Sequence, residues 1–178
     1  MTVPARGAAT EAAPDPAADG SVLLWRIAAE TRRHGADDLS GAGAALYPGR
    51  WNDIDQPVVY AATSMALAVL ETVAHLDDGG LPLNRFLVEI RVPAAAWAAR
   101  EALAATDLPA TWAAIPAGRA SVRLGSAWLA SRRSPLLVLP SAVLPEERVA
   151  LVNPAHPLAA GITARVLRRF EYRRVLRG

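Results

Sequence analysis

The sequence predicts an α+β fold, and three kinds of segment indicate it. Arg85–Val92 alternates apolar and polar residues, which is typical of a β-strand with two unlike faces. Met65–Leu76 is almost entirely apolar and long enough to form a central helix. Shorter apolar runs predict further strands at Pro57–Ala61, Pro135–Val143 and Arg148–Asn153. The order of these strands and helices favours the α+β class.

Composition is typical of a globular protein and excludes several kinds of site. Of the 178 residues, 52% are hydrophobic and 20% are charged, which fits one folded domain. The chain has no cysteine, so disulfides and thiolate metal sites are excluded. A net charge of +2 is too small by itself to indicate nucleic-acid binding. No run is apolar enough to span a membrane and no secretory signal opens the chain, so we expect a cytoplasmic protein.

The N-terminal residues 1–20 are rich in Ala, Pro, Gly and Asp, and we expect them to form a disordered leader. A single domain is expected over residues 21–178, and its first strand is predicted at Ser21–Ala28. Neighbouring residues of a strand point to opposite faces, so Arg26 lies opposite Trp25 and Ile27. Arg26 therefore faces either solvent or a cleft.

A glycine-rich segment, Leu39–Asn52, ends in the motif Gly-Arg-Trp-Asn. It has neither the spacing of a phosphate-binding P-loop nor that of the dinucleotide fingerprint. Arg50 offers a planar fork of donors that suits phosphate or carboxylate. The neighbouring Asp53 and Asp55 are alternative partners, in which case Arg50 has a structural role.

Two polar side chains stand out on otherwise apolar elements. Tyr60 lies near the end of the second predicted strand, where it either packs or contacts a ligand. Glu71 lies in the predicted helix Met65–Leu76, which either Thr63 or Ser64 caps. A carboxylate on such a helix costs free energy to bury unless it is paired. Glu71 therefore marks either a narrow solvent-facing stripe or a functional site.

The second half of the chain contributes one more candidate. Residues 94–105 predict a helix or a lid-like insertion, and residues 120–131 predict a helix. Pro140 interrupts the strand that contains it, which favours a sheet edge or a bulge. Ser141 is the polar residue at that break. The C-terminal segment from Arg165 is amphipathic and is either a strand or a helix.

Common catalytic motifs are missing from the sequence. The three histidines, His34, His75 and His156, do not have metal-ligand spacing, and no G-x-S-x-G elbow occurs. A set of Arg, Tyr, Glu and Ser remains, which suits cleavage of a glycosidic bond in an anionic substrate. Arginine holds phosphate, tyrosine stacks on a flat base, and a carboxylate stabilises an oxocarbenium-like centre. NAD combines all these features.

From Leu24 to Arg174 the chain resembles the RES-domain toxins of bacterial toxin–antitoxin systems. The order of the motifs and the spacing of Arg50, Tyr60 and Glu71 carry the resemblance together. The matching pieces are WRI at Trp25–Ile27, LSGAGA at Leu39–Ala44, GRWN at Gly49–Asn52, VVY at Val58–Tyr60, ALAVLETVAHL at Ala66–Leu76, LPSAVLP at Leu139–Pro145 and LVNPAHP at Leu151–Pro157. The chain departs from the family at 53–56, where a small glycine-containing turn is common.

The resemblance implies a fold like that of ADP-ribosyltransferases, with two packed, mainly antiparallel sheets and flanking helices around an NAD cleft. It assigns active-site roles to Arg50, Tyr60, Glu71 and Ser141. Arg26 is implied as a further NAD contact.

Ser134 is a rival for the family's serine but lacks the P-S-A-V context. The resemblance implies no metal and no cofactor. NAD is implied as a substrate, with or without inorganic phosphate as the second substrate.

The implied function is that of a toxin that depletes cellular NAD by cleaving the nicotinamide–ribose bond, through hydrolysis or phosphorolysis. Three alternatives stay open: an ADP-ribosyltransferase that modifies a protein, a catalytically inactive module that binds only the antitoxin, and an unrelated α+β structural domain in which the motif is fortuitous. The implied partner is an Xre-like helix-turn-helix antitoxin in a hetero-oligomer, without direct contact to nucleic acid or membrane. Whether residues 94–118 form a lid also stays open.

Overall fold

The computed structural model describes residues 17, 19–76 and 81–176, so most of the predicted leader lies outside the described residues. Within the described ranges the α+β prediction is confirmed, with seven strands and four α-helices. The strands are β1 Val22–Ala29, β2 Val59–Ala62, β3 Arg85–Val92, β4 Glu101–Ala102, β5 Leu136–Pro140, β6 Arg148–Val152 and β7 Thr163–Phe170. The helices are α1 Ala42–Leu46, α2 Met65–Val73, α3 Ala94–Ala98 and α4 Arg119–Ser131, with short 3-10 helices at Ala105–Asp107, Pro157–Gly161 and Tyr172–Arg174.

All the strands form one sheet in the order β4-β5-β6-β2-β1-β3-β7. The pair β4–β5 is parallel and the other pairs are antiparallel. The two packed sheets implied by the resemblance are not confirmed, because β2 pairs with β6 from Val59↔Val152 to Ala62↔Val149 and joins the two halves.

Each face of the sheet carries an apolar layer, as the alternation of side chains requires. On one face Leu24 of β1 packs with Val59 of β2 and their neighbours. On the other face α4 packs over β5 and β6 through the fully buried Trp128. On that same face α2 packs over β1 and β2 through Leu67. The two longest helices therefore cover one side of the sheet and frame the loops between them.

The strand with the clearest alternation, β3, has the predicted bounds, Arg85–Val92. Its Val88 and Ile90 are buried on one face and Leu87 is buried on the other. Helix α2 begins at the predicted Met65 but ends at Val73. The C-terminal segment, for which the sequence left strand and helix open, is the strand β7 followed by a 3-10 turn.

The segment 94–118 differs most from the prediction. Residues 94–105 do not form one helix; they form α3 and then the short strand β4 at the sheet edge. The alanine-rich sequence has no periodicity that would have indicated the break. Leu108 and Trp112 are buried in the cluster beneath α4, so the later part of this segment contributes to the core. Among the described residues, no helix is long and apolar enough to cross a membrane.

Candidate active site

The Glu71 side chain on α2 is hydrogen-bonded to the Ser141 side chain. The Ser64 hydroxyl caps α2 by accepting a hydrogen bond from the Leu67 N–H at 3.1 Å. Because Leu67 is buried on the sheet, the orientation of the helix is set and the half-buried Glu71 lies one turn further on. Ser141, directly after β5, donates its hydroxyl hydrogen to Glu71 Oε1 at 2.6 Å.

The Ser141 hydroxyl has no capacity left for a ligand. Besides donating to Glu71, its oxygen accepts from the Val143 and Leu144 N–H groups, both at 3.0 Å. A hydroxyl has one donor and two acceptor positions, and all of them are used. Since Ser141 is also fully buried, it positions the Glu71 carboxylate rather than contacting a substrate.

Arg50 lies on the loop before β2, close enough for the Glu71 carboxylate to act on its charge. Its Nη1 donates to the Trp112 and Ala114 carbonyls, both at 2.8 Å. Partial burial lowers the pKa of the guanidinium, while the charge of Glu71 and the nearby Tyr60 act in the opposite direction. Within the described part of the chain, Nε and Nη2 of Arg50 make no hydrogen bond, so this edge of the fork is available to an anion.

Asn52 holds the loop that carries Arg50. Its side chain is completely buried. The Oδ1 atom accepts from the Gly49 N–H and from the Tyr60 hydroxyl, both at 2.8 Å. The Nδ2 atom donates to the backbone carbonyl of Ala44 in α1 at 2.8 Å and to those of Asp53 and Gln56 in the loop at 3.1 and 3.0 Å. A buried amide with every position satisfied fixes its surroundings strongly.

The Tyr60 hydroxyl belongs to this same network. It donates to Asn52 Oδ1 and accepts from the Trp51 N–H at 3.0 Å. The ring packs against the cluster beneath α4. The hydroxyl therefore ties β2 to the Arg50 loop and leaves only the ring for contact with a ligand.

We expect Tyr60→Phe to destabilise the fold by about 1–3 kcal/mol, because the Trp51 N–H and the Asn52 Oδ1 lose a buried partner. Burial raises the pKa of Tyr60, while the Trp51 N–H and Arg50 act in the opposite direction. A raised folded-state pKa gives stability that is full below about pH 10 and is lost as the pH rises through the folded pKa.

The free energy of unfolding of the wild type should therefore fall more steeply above about pH 10 than that of Tyr60→Phe. Urea titrations at a series of pH values measure both curves. The matched control is Tyr47→Phe, since Tyr47 is exposed and makes no hydrogen bond through its hydroxyl within the described residues. Equal slopes for the wild type and Tyr60→Phe would contradict the assignment.

A glycine of α4 supports the Arg50 loop from beneath. A Cβ atom at Gly125 would lie 1.9 Å from the Trp51 carbonyl oxygen, so the helix touches the loop backbone directly. A Cβ atom at Gly49 would likewise lie 2.7 Å from the Tyr60 hydroxyl oxygen. Both contacts require the absence of a side chain.

Arg26 lies on the opposite face of the sheet from this site. Trp25 packs with the α2 layer, and Arg26 alternates to the face of Leu24. Its Nη1 donates to the Asp38 carbonyl oxygen at 3.2 Å. Burial lowers the pKa of Arg26, and the Asp38 carboxylate acts in the opposite direction. The structure therefore does not bring Arg26 together with Arg50, Glu71 and Ser141, and the NAD contact implied by the resemblance stays a prediction.

The rival serine, Ser134, is buried away from Glu71. Its hydroxyl accepts from Trp128 Nε1 at 2.8 Å and donates to the Leu136 carbonyl oxygen at 3.1 Å. Its hydrogen bonds join the end of α4 to the start of β5, so Ser141 is the serine that meets the carboxylate. Across the described ranges, no group of three or more His, Cys, Asp or Glu side chains is arranged to hold a metal ion.

Sequence reasoning missed Asn52 and Gly125 as parts of the site. Asn52 lies in the Gly-Arg-Trp-Asn motif, but Arg50 was the residue of that motif predicted to bind a ligand. Gly125 lies within a predicted helix, where glycine costs stability relative to alanine and so signals a packing requirement. The partner of that packing, the Trp51 backbone, is remote in sequence and gave no signal.

The sequence is similar to known proteins over most of its length. Residues 23–174 match the RES domain. The Prs ADP-ribosylating toxin of Sphingobium sp. (strain YBL2) is 55% identical over 149 residues, which cover 84% of this chain and 92% of that protein.

Two further relatives are named Toxin Res. The one from Photorhabdus laumondii is 39% identical over 65% of this chain and 72% of its own length. The one from Pseudomonas putida is 36% identical over 78% of this chain and 88% of its own length. The family match covers all of the sheet except Val22, together with the Arg50 loop, Glu71 and Ser141, and this chain therefore belongs to the RES domain family.

Proposed function

We propose that this chain is a toxin that cleaves the nicotinamide–ribose bond of NAD, with water or inorganic phosphate as the acceptor. The observation that carries the proposal is the Glu71 carboxylate, oriented by the Ser141 hydroxyl at 2.6 Å and close enough to act on the charge of the Arg50 guanidinium. The oriented Glu71 carboxylate suits a substrate on which a positive centre develops during the reaction. The free donors of the Arg50 guanidinium suit the phosphates of that substrate.

In the proposed reaction Glu71 faces the ribose of the bound substrate. The C–N bond breaks and its electron pair returns to the pyridinium ring, so nicotinamide leaves as a neutral molecule. The ribose carbon develops oxocarbenium character, which the Glu71 carboxylate stabilises. Water or phosphate then forms the new C–O bond; a water proton passes to solvent. The products are nicotinamide and ADP-ribose, or its phosphate.

The other residues have distinct roles in this proposal. The free edge of the Arg50 guanidinium holds the diphosphate of NAD by paired hydrogen bonds. Ser141 positions Glu71, and the ring of Tyr60 is left to stack on the substrate. NAD is a substrate, and the reaction as proposed needs no cofactor.

A second candidate is transfer of ADP-ribose to a protein. The specific observation that favours it is the name of the 55% identical relative, an ADP-ribosylating toxin. Exposed apolar side chains, which suit protein contact, also occur near Arg50 and Ala114 in the sequence, and a hydrogen bond joins these two residues. These side chains are Leu46, Tyr47, Ile54 and Ile115.

The proposed partner is an Xre-like helix-turn-helix antitoxin that forms a hetero-oligomer with the chain. The toxin names of several relatives support such a context. Co-purification of the chain with the product of a neighbouring helix-turn-helix gene would test it.

The decisive experiment follows NAD over time with purified protein, with and without inorganic phosphate, and identifies the products by mass. Loss only with phosphate supports phosphorolysis, and loss without it supports hydrolysis. A parallel incubation with cell extract supports protein transfer if an ADP-ribose adduct appears on a protein. Unchanged NAD and no adduct, from folded protein free of partner, would overturn the proposal and favour an inactive binding module.

A further inference from the structure

The strand β7 ends the sheet opposite β4, and no strand of the described residues pairs with its outer side. It pairs with β3 alone among the described strands. It is eight residues long, and nearly every residue from Thr163 to Arg169 is exposed. An edge of this length presents a row of unpaired N–H and C=O groups, which can pair with another extended chain.

The same region concentrates positive charge. The segment 163–176 contains five arginines and one glutamate, a net charge of +4, whereas the whole chain carries +2. The glutamate, Glu171, pairs with Arg174 at 3.0 Å, and Arg165 pairs with the buried Glu89 at 2.9 Å.

Three arginines remain without an acidic partner. Within the described residues, no carboxylate lies within 4.0 Å of the guanidinium nitrogens of Arg168, Arg169 or Arg173. Arg169 instead donates to the Leu83 carbonyl oxygen, and Arg168 to the carbonyl of its neighbour. Their charges therefore face solvent without compensation.

Apolar side chains lie next to these unpaired arginines in the sequence of β7. Val166 and Leu167 on β7 are both exposed to solvent. Beside the end of β7, a cavity of about 340 Å³ is lined by Leu81, Leu83 and Phe170 as well as Arg169 and Arg173. The surface thus combines an open strand edge, apolar contacts and unpaired cations.

We infer that β7 and the cavity beside it bind an acidic, extended segment of a partner protein, which adds to the sheet as an eighth strand. Main-chain hydrogen bonds to the open edge supply affinity, as in other cases of strand addition. Carboxylates of the segment pair with Arg168, Arg169 and Arg173. Its apolar side chains cover Val166 and Leu167.

The alternative role of the arginines is to protect the edge from aggregation, which is a common use of charge on edge strands. That role does not require exposed valine and leucine between the arginines, and those side chains would themselves promote association. Nucleic acid is a second possible target for arginines, but a strand edge with apolar side chains matches a peptide better than a phosphate backbone.

The surface is separate from the candidate active site. Ser141 follows β5 near the other edge of the sheet, and Glu71 lies on the helix that packs over β1 and β2. Phe170 of the cavity packs in the same apolar cluster as Leu67 of α2, but neither Glu71 nor Ser141 lines the cavity. This inference does not depend on the proposed reaction.

The test uses the full chain and two labelled peptides, each of eight residues. One alternates valine and glutamate; the other has proline in place of valine, so it keeps the charge but cannot form a strand. Fluorescence anisotropy measures the Kd of each. We expect the valine peptide to bind at least about tenfold more tightly, because only it can use the main-chain hydrogen bonds.

The double variant Arg168→Glu/Arg169→Glu should weaken binding of the valine peptide by at least about tenfold, since it replaces two attractive contacts with repulsive ones. Arg33→Glu, on an exposed loop, is the matched control and should bind as the wild type does. Hydrogen exchange should show slower exchange of β7 amides when the valine peptide is bound. Consumption of NAD should be the same in all variants.

Three outcomes would overturn the inference. Equal binding of the two peptides would show that the surface binds them only through non-specific attraction between charges. Binding of neither peptide would leave the arginines as edge protection. Binding of duplex DNA that the double variant abolishes, together with weak peptide binding, would assign the surface to nucleic acid.

Discussion

Glu71→Gln should reduce the rate of NAD cleavage by roughly 100- to 1,000-fold while the protein stays folded. The amide oxygen of glutamine can still accept the hydrogen bond from Ser141, so the contact at 2.6 Å in the wild type can be kept. What is lost is the negative charge, which stabilises the positive ribose centre only in the transition state. The loss should therefore appear in kcat rather than in KM.

The rate is measured by loss of NAD under saturating substrate, and folding by thermal unfolding. Glu146→Gln is the matched control, because it makes the same substitution at an exposed carboxylate, and it should leave both quantities unchanged. A Glu71→Gln protein that cleaves NAD at the wild-type rate would remove Glu71 from the mechanism.

Gly125→Ala should damage both stability and activity, although Gly125 contacts no ligand in the proposed mechanism. The added methyl group would lie 1.9 Å from the Trp51 carbonyl oxygen and 2.7 Å from its carbonyl carbon. These are backbone atoms, so either α4 or the Arg50 loop must move. Overpacking of this kind costs about 1–3 kcal/mol or more. A displacement of Arg50 by about 1 Å is enough to reduce the rate by about 100-fold.

Gly43→Ala separates this steric effect from the general effect of replacing glycine. No atom lies within 4 Å of a Cβ built at Gly43, and the residue is in helix α1. Its replacement should leave activity unchanged and raise stability by up to about 1 kcal/mol. Thermal unfolding and initial rates measure both variants. Wild-type behaviour of Gly125→Ala would contradict the direct contact between α4 and the loop.

The sequence allowed prediction of those features that depend on local pattern. The alternation of β3 predicted its bounds, and Thr63 or Ser64 before an apolar run predicted the start of α2, where Ser64 is the cap. Glu71 could be singled out because a carboxylate is anomalous on an apolar helix. Its partner Ser141 was predicted from the resemblance and from the break at Pro140, and the structure places the two in contact.

Features that depend on long-range contacts could not be predicted. The alternation of β1 correctly put Arg26 opposite Trp25, but it did not say that the sheet would separate Arg26 from Glu71. The carbonyls of Trp112 and Ala114 that hold Arg50 come from an irregular segment with no periodic signal. Likewise, only the fold shows that α4 packs on the loop before β2.

The hydrogen bonds of Asn52 allow the sequence of the turn after it to vary within the family. In the turn that follows it, Asn52 binds backbone carbonyls and no side chain, so the turn can change its residues without loss of support. In this chain Asp55 adopts the left-handed backbone, φ 62°, that a glycine would favour, and the Gln56 side chain accepts a hydrogen bond from Ser126 on α4. The sequence of this turn can therefore change as long as residue 52 itself is kept.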